Sequence, residues 1–227
     1  MIKSGEKISV VMITLNEEAS VQKVITDIKN LDNRIEIVVV DSSTDQTPYI
    51  ANNLGAKVIR QYPPIGYSPA MDLALKSATQ DIIITLDCDD TYPVSQIPDF
   101  VNLVIDKNYD VVDGNRLKTK PVNMPLINYL ANKFFAIIAS ILFFKNISDL
   151  HSGMRAYKKD IINKLPYLPI SVSLPVELIL WPIRLKMKFV SIPISYKERI
   201  GISKLEPLKA AWWTVIRILR SRFKKIK

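Results

Sequence analysis

Asp87 and Asp89 sit two residues apart, directly after an apolar run at residues 81–86 (DIIITL) and before a helix-forming stretch. Their carboxylates therefore emerge together at the end of a buried strand. Two hard oxygen donors suit Mg²⁺ or Mn²⁺, with the remaining coordination positions left for substrate phosphates. An ion held there would neutralise charge on a departing diphosphate. The plainer alternative is an acidic turn that caps the following helix, and the strand before and helix after the pair tilt the reading toward chemistry. Asp41 ends a second apolar run (IEIVVV), where α/β nucleotide-binding folds place a carboxylate against a base or ribose. Ser42 to Thr47 could equally form a turn with a helix cap. Thr14, Asn16 and Glu17 close a third such run, and either contact nucleotide or start a helix.

Cations that could hold phosphate are scattered later in the chain. Arg155 follows Gly153, and Arg199, Ser203 and Lys204 lie within one short segment, with Arg116 as a further candidate. His151 is the single histidine and Cys88 the single cysteine. A structural zinc site or a Cys–His protease finds little support in that inventory.

The elements that must position these groups follow from the hydrophobic pattern. Residues 8–15, 35–40, 57–61, 81–86 and 110–114 read as strands, and 17–30, 46–54, 68–78 and 94–106 as helices. Strands alternating with helices predict an α/β fold, a mostly parallel Rossmann-like sheet with helices on both faces. Ligands in such folds bind beyond the carboxyl ends of the strands, where the polar groups above lie. The second half is less regular. Helices are expected at 125–144, 158–165 and 176–186, a strand at 189–194, and a polar connector at 148–157. An amphipathic helix over 205–223 ends the chain. Residues 1–204 are assigned to one α/β domain and 205–227 to a basic amphipathic C-terminal helix, which either lies in a membrane interface or packs on the domain core. Pro121 and Pro125 mark a hinge between the halves.

The 227-residue chain is 48% hydrophobic, enough for a substantial core, and carries a formal net charge of +9. Seven Lys or Arg and no acid fall between Lys209 and Lys227, which points to an anionic partner for the tail. Nucleic acid is not favoured, because paired aspartates do not suit a phosphate backbone. The longest apolar stretch, 134–144, broken only by Ser140, is short for a membrane span of about 20 residues. It suits an interfacial or buried helix. Trp212, Val215 and Leu219 on the final helix, flanked by basic residues, fit a helix lying in an anionic interface.

Five segments, ISVVMITLNEE, VVVDSSTDQT, ITLDCDDTYP, DLHSGMRAY and YKERIGISKL, occur in this order. In this arrangement the chain resembles the family 2 glycosyltransferases with the GT-A fold, above all dolichol-phosphate mannose synthases and related polyprenyl-phosphate hexosyltransferases. The resemblance spans about the first 205 residues. It implies a metal-dependent, inverting hexosyltransferase using Mg²⁺ or Mn²⁺, with a nucleotide sugar of the GDP-mannose or UDP-glucose type as donor. A polyprenyl (dolichyl) phosphate or other lipid-linked molecule would be the acceptor. Thr14, Asn16, Glu17 and Asp41 would contact the nucleotide. Asp87 and Asp89 would bind metal and donor diphosphate, while Arg116, Arg155, Arg199, Ser203 and Lys204 would hold donor and acceptor phosphates. The implied setting is peripheral, on the cytoplasmic face of a membrane, with a membrane-protein partner or a homo-oligomer possible. Many members carry Gln where this chain has Thr91, and some carry C-terminal membrane spans that are not expected here. Transfer to a sugar hydroxyl, with Asp89 or Asp90 as base, and a non-catalytic nucleotide-sugar-binding subunit are the alternatives.

Overall fold

The structure, a computed structural model, describes residues 2, 5–122, 124–201 and 206–225. Among these, a seven-stranded sheet has the order β3-β2-β1-β4-β6-β5-β7. Its first four strands in sequence are β1 (Ile8–Thr14), β2 (Glu36–Asp41), β3 (Lys57–Arg60) and β4 (Ile82–Thr85). They are joined by α1 (Glu18–Leu31), α2 (Thr47–Asn53) and α3 (Tyr67–Ser77). β1 pairs in parallel with both β2 and β4, and β2 with β3. These strands are apolar β-branched runs buried on both sides, so alternate residues feed two cores. Val10, Met12, Ile37, Val39 and Ile84 pack with α1 and with α4 (Ile97–Ile105). Val11, Val38, Val40 and Ile83 face the opposite way, toward α3 and α7 (Leu174–Arg184).

The second half joins the same sheet. β5 (Val111–Asn115) pairs in parallel with β7 (Phe189–Pro193). Between β4 and β5 lies β6 (Arg155–Lys158), antiparallel to both, followed by a short α6 (Lys159–Ile162). This strand falls where the sequence suggested the end of a polar connector. RAYK has no β-branched residue and no apolar run, so its strand character comes from two flanking edges rather than from its own composition. The helix expected over 158–165 contracts to α6, with Lys158 taken by the ladder and residues 163–165 lying beyond its end. Across Pro121 and Pro125 the chain returns to the same sheet, since β6 and β7 pair with strands of the first half.

A third apolar cluster lies outside the sheet, where α5 (Leu126–Phe143) and α8 (Pro207–Phe223) pack with α7 around Ala139, Leu180 and Ile218. α5 is longer than the apolar stretch noted in the sequence. At 18 residues, with mean hydropathy 1.7 and 11% of its length buried, it is long and apolar enough to cross a membrane by length and composition.

Candidate active site

The carboxyl ends of β1, β2 and β4 converge, as the parallel order requires, and bring Thr14, Asn16, Glu17, Asp41, Asp87 and Asp89 to one edge of the sheet. Asp87 leaves β4 against the loop that precedes β6. A Cβ built on Gly153 would lie 2.6 Å from Asp87 Oδ2, so glycine is required there to let the carboxylate approach the backbone. Gly153 is tightly held. The Gly153 amide donates to Tyr92 Oη at 2.6 Å, and its carbonyl accepts from Thr85 Oγ1 at 2.6 Å. Burial, reinforced by the neighbouring charge of Asp89, pushes the Asp87 carboxyl up to about 7, against the pull of Arg116 and Arg199.

Asp89 is 3% exposed. Its Oδ1 accepts from Thr91 Oγ1 at 2.6 Å, and its Oδ2 lies 2.8 Å from Arg199 Nη1. The second terminal nitrogen of Arg199 reaches Glu17 Oε1 at 2.8 Å, so this guanidinium bridges two carboxylates. Its loop is pinned by the Lys197 and Ile200 amides, which donate to the Thr91 and Asp89 carbonyls. Asp90 takes Lys23 at 3.0 Å.

Asp41 is fully buried and its carboxylate is engaged by Thr14 Oγ1 at 2.6 Å, Ser43 Oγ at 2.6 Å and the Arg60 guanidinium. Asn16 adopts a left-handed backbone, φ 54°, and its side-chain oxygen accepts from the Thr44 amide at 2.8 Å. Thr14 and Asp41 therefore form the floor of this corner, with Asn16 and the turn after β2 around it.

Arg116 projects from the end of β5. Asp149 takes its Nε at 2.8 Å and one terminal nitrogen at 3.0 Å, and its guanidinium covers the Tyr196 ring at 5.2 Å. Burial alone would raise the Asp149 carboxyl, but the Arg116 charge and hydrogen bonds bring it down to about 2. Arg155 needs a correction. Expected among the phosphate-binding cations, it is 1% exposed, with Nε on Asp113 at 2.7 Å and its terminal nitrogens on the carbonyls of Pro175 and Leu150. It ties β6 to β5 and α7 and presents no free face to a phosphate. Ser203 and Lys204 lie outside the described residues.

The sequence reading did not single out Arg60, Tyr92, Asp149 or Tyr196. Asp149 stands two residues before His151 in the DLHSGMRAY segment, which was the available signal. His151 donates to or accepts from Thr214 Oγ1 at 2.8 Å, linking the site's back wall to α8.

The pair Asp87 and Asp89 fits a divalent cation. No hydrogen bond reaches the Asp87 carboxylate among the described residues, and its raised pKa marks a buried charge in want of a cation. No group of three or more His, Cys, Asp or Glu side chains converges among the described residues. An ion held by two carboxylates would complete its shell with substrate oxygens and water, the habit of Mg²⁺ and Mn²⁺ at phosphate sites.

The chain belongs to glycosyl transferase family 2, whose family model matches residues 9–166. It is a glycosyltransferase. The chain is 38% identical to the dolichyl-phosphate hexose transferase of Haloferax volcanii over 203 residues, covering 89% of this chain and 88% of that one. It is 30% identical to the dolichol-phosphate mannosyltransferase of Pyrococcus furiosus over 213 residues, covering 88% of this chain and 59% of that one. The fold matches a crystal structure of glucosyl-3-phosphoglycerate synthase from Mycobacterium tuberculosis in complex with Mn²⁺, UDP and glucosyl-3-phosphoglycerate. The TM-score is 0.79 at 22% identity, over 99% of this chain and 83% of that one. The same enzyme with Mg²⁺ and UDP gives a TM-score of 0.78 at 20% identity, over 99% and 82%. The GT-A architecture expected from the sequence is thus the observed fold.

Proposed function

We propose that the protein transfers a hexose from a nucleoside-diphosphate sugar to a polyprenyl phosphate at a membrane surface, in a reaction that depends on Mg²⁺ or Mn²⁺. The observation that carries this reading is that Asp89 and Asp90, the two candidate bases, are already ion-paired, as are their neighbours Glu17, Asp41 and Asp149. Glu17 and Asp89 face Arg199, Asp90 faces Lys23, Asp41 faces Arg60 and Asp149 faces Arg116. A hydroxyl acceptor needs a carboxylate base, and the two candidates, Asp89 and Asp90, are both held by cations. A phosphate monoester needs none. Its second pKa is roughly 6, by analogy with phosphoserine, so it is already a nucleophile at neutral pH.

Catalysis then reduces to alignment and charge stabilisation. A divalent ion on Asp87 and Asp89 would neutralise the diphosphate as it leaves. Asn16, Glu17 and the floor of Thr14 and Asp41 would receive the nucleotide. Arg199 and Arg116 would set the potential that draws the acceptor phosphate to the face opposite the leaving group. The acceptor oxygen forms its bond to the anomeric carbon as the bond to the diphosphate breaks, giving inversion. The lipid acceptor is supported by the dolichyl-phosphate relatives and by the exposed apolar helices beside the site.

The test is transfer from a panel of labelled nucleotide sugars to polyprenyl phosphate by the purified protein, with Mn²⁺ or Mg²⁺ and then with a chelator. Label in a mild-acid-labile lipid, lost on chelation, is the expected result and names the donor. Binding of a nucleotide sugar without transfer to any acceptor would overturn the reading in favour of a non-catalytic subunit.

A further inference from the structure

Helix α8 is amphipathic in the reverse sense to a soluble surface helix. The residues it buries are Thr214, Arg217, Ile218 and Ser221. Leu208, Trp212, Val215, Leu219 and Phe223, spaced by three or four residues along one stripe, face outward, with Leu208 88% and Trp212 66% exposed. Its inward orientation is fixed by polar contacts. The Arg217 guanidinium donates to the carbonyls of Leu168, Ile170 and Val172 and pairs with the buried Glu177 at 3.2 Å. Arg220 reaches the same carboxylate at 2.7 Å. Rolling the helix to hide its leucines would strand Glu177 and three carbonyls.

Helix α5 repeats the pattern beside it. Ile127, Leu130, Phe134, Ile137 and Ile141 recur at helical spacing and are more than half exposed, while Ala136 and Ala139 are its buried residues. The two helices run side by side in the same direction. Phe135, midway along α5, meets the His151 ring, which bonds Thr214 midway along α8. At the carboxyl ends the Arg222 guanidinium lies 5.9 Å from the Phe144 ring. The two exposed stripes are therefore carried by neighbouring helices that pack on the same cluster. Neither helix contains an acidic residue, and Lys133, Lys209, Arg222, Lys224 and Lys225 lie on or just beyond them.

We infer that α5 and α8 together form a monotopic docking face that lies flat in the interface of an anionic lipid bilayer. Apolar side chains and a tryptophan among a surplus of cations, with Glu206 at the start of α8 held by Lys209, match that interface better than the apolar face of a second copy with the same positive charge. α5 is about 27 Å long, close to the hydrocarbon thickness of about 30 Å, so length alone would permit it to cross. Crossing would pull Ala139, Phe135, Ile138 and Leu142 off the cluster with Leu180 and Ile218, whereas lying flat keeps that packing. The segment carrying Arg116 runs on into the start of α5, and the one carrying Arg199 into the start of α8. Each helix of the docking face thus follows a cation-bearing segment in the chain. The inference deepens the reading of a lipid-linked acceptor, but rests on different residues.

The experiment is vesicle flotation of the full chain with phosphatidylcholine vesicles and with vesicles containing one-third phosphatidylglycerol. It is paired with tryptophan fluorescence against lipids brominated at shallow or deep acyl positions. The expected result is flotation with the anionic vesicles, at least tenfold weaker in the double variant I137E/L219E, whose sites are exposed and whose unfolding transition should match the wild type. Trp212 should shift to the blue and be quenched more by the shallow label, and W212F should lose that signal. Three results would overturn the inference: no flotation, equal flotation of I137E/L219E, or deeper quenching with resistance to alkaline extraction. A fourth is a vesicle-free dimer, seen by sedimentation, that I137E/L219E abolishes. Transfer by I137E/L219E to a short-chain polyprenyl phosphate in detergent should stay at the wild-type level, so loss of docking is distinguishable from loss of the catalytic reading.

Discussion

Substituting Gly153 with alanine tests whether Asp87 is held in place for a metal. The added Cβ would sit 2.6 Å from Asp87 Oδ2, 2.9 Å from Cγ and 3.0 Å from Oδ1, where ordinary contact begins at 3.4 Å. Gly153 cannot retreat, because its amide is bonded to Tyr92 and its carbonyl to Thr85, both at 2.6 Å. The carboxylate must therefore move by most of an ångström. Functional groups tolerate errors of about 0.5 Å, and a misplacement of about 1 Å costs on the order of 100-fold in rate. Disturbing groups that orient a metal ligand weakens the ion by about 10- to 100-fold. We expect G153A to raise the Mn²⁺ concentration for half-maximal binding by about 10- to 100-fold, read by electron paramagnetic resonance of free Mn²⁺ with the donor's nucleoside diphosphate present. kcat/KM should fall by about 100-fold. Overpacking should lower stability by only about 1–3 kcal/mol, leaving a cooperative unfolding transition. Wild-type Mn²⁺ affinity and turnover in folded G153A would refute the reasoning.

Three further perturbations follow from the same structure. Asp87 is raised from an ordinary 3.8 to about 7 in the folded state, so stability is lost as pH rises from about 4 through 7 and stays at its lower level above, where the half-buried charge opposes folding. In metal-free buffer D87N should raise stability at pH 8 by about 2 kcal/mol, below the ceiling of about 4 because the group is partly exposed, and by nothing below pH 4. Calorimetry across that range checks it, and transfer should be abolished. His151 is lowered from 6.5 to about 4 by burial, so its contribution is full above pH 6.5 and is lost as pH falls toward 4. H151Q should flatten the stability profile there by about 1–2 kcal/mol in denaturant titrations. R217A removes the cation from a buried pair with Glu177 and should cost about 3–5 kcal/mol, while R222A should change the unfolding midpoint by less than about 0.5 kcal/mol.

Much of the sheet was legible because β1, β2 and β4 are apolar runs followed by polar turns, a pattern that local composition controls. The paired aspartates were legible for the same reason, since the carboxyl end of a buried strand leaves few places for its next residues. β6 was not. Arg155 and Tyr157 flank a short ladder whose partners are 42 and more residues away in sequence, and no periodicity encodes them. The same distance hid the fate of Arg155, because an arginine after a glycine reads alike whether it faces phosphate or Asp113. The partner of Asp41, Arg60, became visible only when β3 settled beside β2. In α8 the spacing of Trp212, Val215 and Leu219 gave an amphipathic helix, but not which face is outward. That choice lies with Glu177, on another helix, which draws Arg217 and Arg220 inward.

The central claim is that the acceptor nucleophile is a lipid phosphate needing no base from the protein. The most direct measurement compares transfer from the preferred labelled nucleotide sugar to a polyprenyl phosphate and to the same polyprenol without its phosphate. Both are run with Mn²⁺ and with D87N as the background. Metal-dependent label in the phosphate alone, as a mild-acid-labile product with inverted configuration, is the result expected. Equal or greater transfer to the alcohol, or to a sugar hydroxyl, would contradict the account and require a carboxylate base that the pairing of Asp89 and Asp90 does not provide.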